Sequence, residues 1–268
     1  MRFLLSILAL SLVACGGSSD PMNGGMTTFV VGSSTLADYS SIQAAILDVP
    51  QGSTIEIEPG TYVERLVILR PMTIVGAGPT TVISYPTSAA TDAGVIEVRD
   101  TSAVTIENLS VVSTLAPIDG IRVRSSADVT IRNVIASDHS SDGIDVRGSA
   151  GVLVLNSIVE NNGGDGIQVD ELARQVTIRG CLANGNVSDG IKFRSSDIGL
   201  IENNTASMNL DDGILVRDAT QVTVMDNTAM GNVSAGIKVT DSPDTVLSGN
   251  TASANGAADI VCEPLACP

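Results

Sequence analysis

The fold of this chain is decided by two consecutive segments, GIKFRSSDIGLIENNTASMNLDD at residues 190–212 and GILVRDATQVTVMDNTAMGNVSA at residues 213–235. The two segments are equally long, begin with Gly-Ile and carry apolar residues at matching positions. The same dipeptide recurs at Gly120, Gly143, Gly166, Gly190, Gly213 and Gly236, in equal steps except that from Gly166 to Gly190, which is one position longer. Such self-similarity at a fixed period indicates a repeat architecture, in which stacked units share one core.

Each repeat unit contains three short stretches in which apolar and polar residues alternate. Ile-Asp-Val-Arg at residues 144–147 and Ile-Lys-Phe-Arg at residues 191–194 show this period of two, which is typical of a strand with one buried face. Three strands in so short a unit leave no room for a helix, which excludes helical repeats and βαβ units. Equivalent strands of successive units can pair in parallel about 4.8 Å apart. The sequence therefore predicts a parallel β-helix.

Two columns of turn-forming residues accompany the strands. The first follows the second strand of each unit and consists of Asn108, Asn133, Asn156, Gly180, Asn203, Asp226 and Gly249. The second precedes the Gly-Ile strand and consists of His139, Asn162, Asn186, Asn209, Asn232 and Asn255. Asn and Gly tolerate a left-handed backbone, and stacked Asn amides can hydrogen-bond to one another along a solenoid.

This pattern resembles the right-handed parallel β-helix repeat proteins of the pectin-lyase-like superfamily, over about residues 54–263. The resemblance implies right-handed winding, which periodicity alone does not give. We therefore expect an all-β fold, a single-stranded right-handed parallel β-helix (solenoid) of about nine coils with a short N-terminal capping helix. The helix is predicted at residues 41–47, with Ser40 or Ser41 as its N-cap.

The N-terminus has the features of an export signal. A cationic start is followed by a compact apolar stretch that is too short to span a bilayer comfortably. The stretch ends in Leu-Val-Ala-Cys at residues 12–15, which resembles the lipobox of bacterial lipoproteins and implies lipidation of Cys15. The predicted organisation is a signal peptide at 1–14, a lipidated cysteine and flexible tether at 15–27, and the β-helix at 28–268. The alternative is an ordinary secretory signal in which Cys15 is incidental.

The lipobox resemblance implies a location in the bacterial cell envelope. Gly16 after the cysteine resembles lipoproteins that are sent to the outer membrane, which is the location that we expect. An exported chain reaches an oxidising compartment, so we predict a disulfide between Cys262 and Cys267 that closes the C-terminal cap. The alternative is two free thiols. Cys181 is interpreted as a small residue of a stack rather than a nucleophile, because His139 is the only imidazole that could activate it.

Composition excludes several functional classes. The chain has 30 Asp and Glu against 14 Lys and Arg, a net charge of −16, which argues against nucleic-acid binding through bulk charge. Aromatic residues make up 2%, which argues against an aromatic platform for sugars. No pair of His or Cys has the spacing of a zinc site. We expect a monomer that meets the membrane only through its lipid anchor.

The outward positions of the Gly-Ile strands form two charged columns. The first is Glu97, Arg122, Asp145, Gln168, Lys192, Leu215 and Lys238; the second is Arg99, Arg124, Arg147, Asp170, Arg194, Arg217 and Thr240. These columns could bind the carboxylates of a uronic-acid polysaccharide. The binding candidates are Arg122, Arg124 and Arg217. The alternative is that the charges only pair across neighbouring strands and keep the surface soluble.

If the protein is an enzyme, the same columns supply its catalytic residues. Lyases of the family that this chain resembles work on the equivalent face, with calcium neutralising the uronate. That resemblance implies Lys192 as the base that removes the C5 proton and Arg194 as its electrostatic partner. Arg147 would then hold a substrate carboxylate.

Five Asp-Gly steps enter the same strand in successive coils, at Asp119, Asp142, Asp165, Asp189 and Asp212. Asp-Gly is ordinary turn chemistry, but like charges about 4.8 Å apart repel each other. The carboxylates must therefore turn into solvent or be neutralised. Oxygen atoms from adjacent coils suit Ca²⁺, and the calcium candidates are Asp165, Asp189 and Asp212.

The sequence favours a lipid-anchored envelope module that binds a polysaccharide or a protein partner along its long face. The near-constant repeat spacing leaves no long loops to build a cleft, and the Gly-His-Gly and Asp-Pro-His-Asp signatures of related enzymes are absent. The alternative is a calcium-dependent uronate-polysaccharide lyase or C5-epimerase. A fold hosts many functions, so the choice depends on the site.

Overall fold

The computed structural model describes residues 27–85, 93–113 and 118–263. Cys15, the signal peptide, most of the tether and Cys267 fall outside these ranges. In chain order the elements are β1 (Thr28–Val31), α1 (Ile42–Asp48), β2 (Thr54–Ile57), β3 (Gly60–Val63), β4 (Leu66–Ile68), β5 (Met72–Gly76), β6 (Thr81–Ser84), β7 (Gly94–Arg99), β8 (Ser102–Val112), β9 (Asp119–Arg124), β10 (Ala127–Ser137), β11 (Ile144–Arg147), β12 (Leu153–Leu155), β13 (Ile158–Glu160), β14 (Ile167–Asp170), β15 (Arg174–Arg179), β16 (Leu182–Asn184), β17 (Ile191–Arg194), β18 (Asp197–Glu202), β19 (Thr205–Ser207), β20 (Ile214–Arg217), β21 (Thr220–Met225), β22 (Thr228–Met230), β23 (Ile237–Thr240), β24 (Val246–Ser248), β25 (Thr251–Ser253) and β26 (Ile260–Glu263).

These strands form a parallel β-solenoid with three faces. The Gly-Ile sheet stacks nine strands, in the order β4-β7-β9-β11-β14-β17-β20-β23-β26. The second face stacks β1, β2, β5, β8, β10, β12, β15, β18, β21 and β24, and the third runs from β3 to β25. β8 and β10 bend around a corner and belong to both faces. The solenoid has about ten turns, close to the predicted number.

The helix lies near the N-terminal end of the solenoid, as predicted. Ser41 is its N-cap and accepts a hydrogen bond from the backbone of Ala44. The carboxylate of Glu64 accepts further hydrogen bonds from the backbone N–H groups of Ile42 and Gln43. The helix buries Ile42 and Ile46 against the apolar interior. Sequence reasoning identified the N-cap but missed this carboxylate, which comes from a distant part of the chain.

The first turn column has the left-handed backbone that its residue types predict. Its members have φ between 47° and 66°, from Asn156 at the low end to Gly180 at the high end. The second turn column forms a hydrogen-bonded ladder. Asn186, for example, accepts bonds at Oδ1 from the backbone N–H (3.1 Å) and the side-chain amide (3.0 Å) of Asn162. Each amide nitrogen also donates to a backbone carbonyl of a preceding coil.

The core is a stack of Ile, Val, Leu and Ala with one large exception, Phe193, which is fully buried. Gly199 lies opposite it on the second face, where a Cβ atom would be 2.6 Å from Phe193 Cζ. In the neighbouring coils the position of Phe193 is held by Val169 and Val216. The position of Gly199 is held by Val176 and Val222. The large Phe193 side chain beside Gly199 therefore occupies the volume that two valines occupy in each adjacent coil.

We expect Gly199→Val to lower the free energy of unfolding by about 2–3 kcal/mol, because the added side chain overlaps the Phe193 ring. Phe193→Val alone should cost a similar amount, because it leaves a cavity beside the glycine. The double variant recreates the Val pair of the adjacent coils and should recover most of the loss. Denaturant unfolding of the four proteins measures the coupling. Simple additivity of the two losses would contradict this packing.

Candidate functional site

The outward side chains of the Gly-Ile sheet lie in the two predicted columns. Strand register stacks Glu97, Arg122, Asp145, Gln168, Lys192, Leu215 and Lys238 as the inner column. It stacks Arg99, Arg124, Arg147, Asp170, Arg194, Arg217 and Thr240 as the arginine column. The sequence predicted that the inner column is open to a ligand. In the structure most of its side chains are instead buried by the side chains around them.

The five Asp-Gly carboxylates, here called the aspartate column, are buried rather than turned into solvent. Each Oδ1 accepts a hydrogen bond from the backbone N–H of the equivalent residue in the next coil. Asp165 N donates to Asp142 Oδ1 at 2.7 Å, and Asp189 N donates to Asp165 Oδ1 at 3.0 Å. The ladder ends at Asp212, which accepts from Ala235 N at 2.8 Å. The column thus stabilises the entry into every Gly-Ile strand.

The second carboxylate oxygens of the aspartate column face the inner column. Arg122 Nε donates to Asp119 Oδ2 at 2.9 Å and to Asp145 Oδ2 at 3.0 Å. Arg147 Nε also donates to Asp145 Oδ2, at 2.7 Å, and Gln168 Nε2 donates to Asp142 Oδ2 at 3.0 Å. Arg122, 5% exposed, is held inside this network, so it cannot reach a ligand without breaking two ion pairs.

Lys192, the predicted base, lies between two carboxylates of the aspartate column. Its Nζ atom is 3.0 Å from Asp165 Oδ2 and 3.6 Å from Asp189 Oδ2. Burial works to lower the pKa of Lys192, but the two carboxylates outweigh it and hold the pKa above its ordinary value. A lysine in this setting stays protonated near neutral pH. The geometry therefore suits charge compensation better than proton abstraction.

Burial raises the pKa values of several carboxyl groups in the aspartate column. Burial, reinforced by the charge of Asp119, raises the pKa of Asp142 to about 8. Burial and the carboxylate of Asp165 raise the pKa of Asp189 to about 7. Burial and Asp145 raise the pKa of Asp119 to about 6. Part of this column is therefore protonated near neutral pH, which reduces the repulsion between stacked carboxylates.

These shifts predict an unusual pH dependence of stability. An unfolded Asp has a pKa near 3.9, so between that value and the raised folded pKa the folded state binds more protons. The stability contribution is complete below about pH 4 and is lost progressively as pH rises from there to the folded pKa values of about 6 to 8. Burial lowers the pKa of His139 to about 4, which opposes this trend only below about pH 6.5.

We therefore expect the free energy of unfolding to fall between about pH 6.5 and pH 8, by about 1.4 kcal/mol per pH unit for each carboxyl whose folded pKa lies above that pH. Asp142→Asn keeps an oxygen acceptor for the N–H of Asp165 and cannot ionise. This variant should flatten the profile and be more stable than the parent at pH 8.5. Thermal unfolding followed by circular dichroism at both pH values measures this. A parent protein that is more stable at pH 8.5 than at pH 6.5 would contradict the raised pKa values of the buried aspartate column.

The calcium candidates are brought into one column, but their oxygens already have partners. The Oδ1 atoms of Asp165, Asp189 and Asp212 accept backbone N–H groups. Lys192 supplies a positive charge to Asp165 and Asp189. Ca²⁺ at Asp165 and Asp189 would therefore have to displace the lysine.

Among the residues that the structure describes, two sets of carboxylates have oxygens within 4.8 Å of one another, namely Asp119, Asp142 and Asp145, and Asp189, Asp211 and Asp212. The first set is buried among the Arg122 and Arg147 guanidinium groups. In the second set only Asp211 is exposed. Calcium binding at the aspartate column stays a prediction.

The arginine column is more accessible than the inner column. The side chain of Arg99 is 47% exposed and 3.9 Å from Glu97 Oε1. Arg124 is exposed, and Arg217 lies 3.7 Å from Asp218 Oδ2. Arg194 forms an ion pair with Asp170, as the alternative interpretation of this face required, and the hydrogen bond to that carboxylate raises the pKa of Arg194. The column therefore combines cross-strand pairing with exposed guanidinium groups.

A groove of about 640 Å³ runs beside the arginine column, at the corner between the Gly-Ile sheet and the second face. This corner groove is lined by hydroxyl side chains of Thr101, Ser102, Ser125, Ser126 and Ser149, with Asp100 in its first coil and Leu172 and Arg174 in its last. It crosses four coils, or about 14 Å. Small residues create it, so the regular spacing that argued against a cleft still permits a shallow groove.

Arg99, Arg124 and Arg147 come directly before the groove residues of their coils. The corner groove therefore begins one residue after the arginine column in each of these coils, and serine and threonine residues line it.

The remaining predicted residues have structural surroundings. His139 occupies the asparagine slot, where Asn162 Oδ1 accepts a hydrogen bond from its backbone N–H. Cys181 is a buried free thiol whose pKa burial raises to about 11, which agrees with the interpretation that it is not a nucleophile. Cys262 lies in β26 and is disulfide-bonded, while Cys267 falls outside the described residues. No helix in the described ranges is both long and apolar enough to cross a membrane.

A second ladder of asparagines was missed by sequence reasoning. Asn204, Asn227 and Asn250 follow the first turn column and bond to one another as the other ladder does. Cys181 and Ser157 hold the same position in earlier coils. The available signal was the repeated Asn-Thr-Ala at residues 204–206, 227–229 and 250–252.

Comparison with solved structures finds the same architecture in enzymes that act on polysaccharides. The mannuronan C-5 epimerase AlgE4 A-module of Azotobacter vinelandii is 20% identical, with a TM-score of 0.66 over 82% of this chain and 76% of that chain. Pectate lyase Pel9A is 18% identical, with a TM-score of 0.67 over 80% and 68%. An alginate lyase from Paenibacillus sp. str. FPU-7 is 16% identical, with a TM-score of 0.58 over 90% and 97%. At these identities the likeness establishes the fold alone.

Among curated proteins, none matches this chain. The family model described as "Right handed beta helix region" matches residues 87–197 and 119–263, which together cover more than half of the chain. This match agrees with the repeat, the parallel sheets and the asparagine ladder. The chain belongs to the right-handed β-helix family.

Proposed function

We propose that this chain is a binding module for an acidic polysaccharide, anchored in the bacterial cell envelope by a lipid on Cys15. The observation that carries the proposal is the stacking of Arg99, Arg124 and Arg147 in successive coils, each one residue before the residues that line the corner groove. Guanidinium groups bind carboxylates through paired hydrogen bonds, and serine or threonine hydroxyls can both donate to and accept from sugar hydroxyls.

The repeat of the solenoid suits a polymeric ligand. Successive arginines are one coil, or about 4.8 Å, apart, so a chain that lies along the groove meets equivalent groups at regular intervals. The net charge of −16 does not prevent an acidic polymer from binding at the corner groove, because the nearby aspartate column is buried and partly protonated. Several contacts of modest strength on one ligand give useful affinity together.

The geometry supports binding more strongly than catalysis. Lys192 is committed to Asp165 and Asp189, and Arg194 to Asp170. Asp145 holds the pKa of Arg147 above its ordinary range against the effect of burial. A cation that stays protonated can bind a carboxylate but cannot accept a C5 proton.

The alternative, a calcium-dependent uronate lyase or C5-epimerase, draws on the similarity to the epimerase and lyase structures. A lyase leaves an unsaturated uronate that absorbs in the ultraviolet. We expect no rise in absorbance with pectate or alginate, with or without Ca²⁺. A calcium-dependent rise that disappears in Lys192→Ala would establish the alternative.

The proposal is tested by the double variant Arg99→Gln/Arg124→Gln. Each charge-assisted contact contributes about 1 kcal/mol, so affinity for an acidic polysaccharide should fall about 10- to 30-fold. The matched control is Arg132→Gln/Arg179→Gln on the second face, where the Arg179 side chain is 51% exposed and paired with Glu202. Affinity electrophoresis and calorimetry measure both. Equal losses in the two double variants would mean that binding follows overall charge and not this groove.

A further inference from the structure

We propose that the turns that lead into the later Gly-Ile strands form a docking surface for a basic amphipathic helix of a partner protein. The surface, here called the apolar turn patch, consists of Val187, Met208, Leu210, Met230 and Val233. These turns join the third face to the Gly-Ile sheet, whereas the corner groove lies where the Gly-Ile sheet meets the second face. The inference therefore does not depend on the proposed function.

Three members of the patch hold the same slot in successive coils. Leu210 N donates to Asn186 O at 2.9 Å, and Val233 N donates to Asn209 O at 3.0 Å, so the residues that follow the ladder asparagines are stacked. Val187, Leu210 and Val233 are each more than half exposed. A single exposed apolar residue is ordinary on a protein surface, but a contiguous row in register indicates an interaction site.

Two methionines widen this row into a patch. Met208 and Met230 are exposed, and Met208 N donates to Met230 O at 3.0 Å. Met208 Cγ lies 3.8 Å from the place that a Cβ atom of Gly231 would take, so its side chain reaches over a glycine of the next coil. Unbranched methionine side chains adapt to the shape of a partner. The patch therefore combines a regular row of aliphatic residues with an adaptable one.

The turns do not require apolar residues at these places. The slot of Leu210 is held by Ser140 three coils earlier. The slot of Met208, with φ of 54°, is held by Asn161 with φ of 55°, and a left-handed backbone favours asparagine over methionine. The solenoid can therefore be built with polar residues at both slots, so the exposed apolar residues need another explanation.

The surroundings of the patch are acidic. Neither lysine nor arginine occurs in the six turns of this edge, which are residues 137–142, 160–165, 184–189, 207–212, 230–235 and 253–258. Asp211 follows the middle residue of the row and is exposed, and Asp138 and Asp259 are exposed in coils on either side of the patch. On the neighbouring strands, Lys192 is paired with the aspartate column, and the charge of Lys238 acts on the same column.

This charge distribution selects among the possible occupants of the patch. A second copy of the chain would bring Asp211 and its acidic surroundings close to their own equivalents, and the net charge of −16 opposes self-association further. A surface of anionic lipids would be repelled in the same way. A protein segment with Lys or Arg around apolar residues complements both the patch and its surroundings.

The row has the length of two helical turns. Three residues in successive coils span about 10 Å, because parallel strands are about 4.8 Å apart. Side chains at positions i, i+4 and i+7 of an α-helix share one face and span about 10.5 Å. A helix that lies along the solenoid axis can therefore pack three apolar side chains on Val187, Leu210 and Val233 and place basic residues beside Asp211.

The probe is a synthetic amphipathic helix of Leu and Lys, about 15 residues long, and its control carries Glu in place of every Lys. The purified protein is labelled with ¹³C at the methionine methyl groups. We expect the Lys peptide to shift the NMR signals of Met208 and Met230. The signals of buried Met72 and of Met225 on the second face should stay in place. The Glu peptide should shift none of them.

Leu210→Ser/Val233→Ser should weaken binding of the Lys peptide about 10- to 30-fold, because the contact of two apolar side chains is lost. This variant should fold, because Ser140 already holds the same slot. The matched control is Val63→Ser/Leu69→Ser, whose parent residues are more than half exposed in the N-terminal coils. Fluorescence anisotropy of the labelled peptide measures both affinities.

Asp211→Ser tests the charge of the surface separately. Ser188 and Ser234 hold the corresponding position in the coils before and after it, so the variant should fold. We expect about 3-fold weaker binding of the Lys peptide at low salt and no difference from the parent at high salt.

Several outcomes would overturn the docking surface. These are equal losses in the two double variants, a Glu peptide that binds as tightly as the Lys peptide, or no binding of the Lys peptide at millimolar concentration. A dimer in sedimentation that Leu210→Ser/Val233→Ser dissociates would make the occupant a second copy. Shifts of Met208 and Met230 with phosphatidylglycerol vesicles but not with the peptide would make it a lipid surface. The polysaccharide proposal is unaffected by these outcomes, because Arg99→Gln/Arg124→Gln tests it at the corner groove.

Discussion

Gly190→Ala is expected to lower the free energy of unfolding by about 3 kcal/mol and the melting temperature by about 6–12 °C. The added Cβ atom would lie 2.6 Å from both Gly213 O and Asn209 Nδ2. Both atoms are held in place by hydrogen bonds. Gly213 O accepts from the backbone N–H of Ile191, and Asn209 Nδ2 donates to Asn232 Oδ1 in the asparagine ladder. Urea unfolding followed by circular dichroism measures the loss.

The control for this prediction is Gly148→Asp. Gly148 has φ of 53°, and a Cβ atom there would meet Glu171 O at an ordinary 3.5 Å. Asp100 and Asp218 occupy the equivalent turn with φ of 51° and 50°. We expect a change within about 1 kcal/mol. A loss at Gly190 no greater than at Gly148 would show that the Gly-Ile signature reflects turn preference and not close packing between coils.

Asn209→Leu should lower the free energy of unfolding by about 3–5 kcal/mol, although leucine is an uncharged residue of comparable length. Asn209 is fully buried and takes part in four ladder bonds through its side chain. Its removal leaves the N–H of Asn186 buried without a partner and takes one donor away from the carbonyl of Ala183. Hydrogen exchange of the Asn186 amide gives a local readout in addition to the global unfolding free energy.

Asn161→Gly is the matched control for the ladder. Asn161 has φ of 55° and is exposed, and glycines hold the corresponding turn at Gly185 and Gly231. We expect less than about 0.5 kcal/mol of change. If Asn209→Leu were equally mild, the ladder would be a consequence of the turn geometry and would not stabilise it.

The sequence predicted those parts of the structure that depend on local periodicity. The Gly-Ile spacing predicted the strands, and the column from Asn108 to Gly249 predicted the left-handed turns. The N-cap was narrowed to Ser40 or Ser41, and the structure has Ser41. These features are readable because each depends on the residue type at a fixed offset within one coil.

Burial within the charged face could not be predicted in the same way. A period of two identifies Arg122 and Asp145 as outward-facing, but it does not reveal that their long neighbours cover them. The corner groove depends on the small size of residues in four successive coils and on the inserted Leu172. The complementarity of Phe193 and Gly199 joins two faces of the solenoid, so neither strand pattern alone contains it.

The hydrogen bonds of the aspartate column and of the asparagine ladder that precedes the Gly-Ile strands point in opposite directions along the solenoid. Each aspartate accepts a bond from the coil that follows it, whereas each asparagine accepts from the coil that precedes it. Each inner coil therefore donates one backbone N–H backwards, through its aspartate position, and one forwards, through its asparagine position. Removal of a coil from either end would leave one of these N–H groups without its acceptor. The solenoid therefore needs a capping segment at both ends, and the two caps must satisfy different residues.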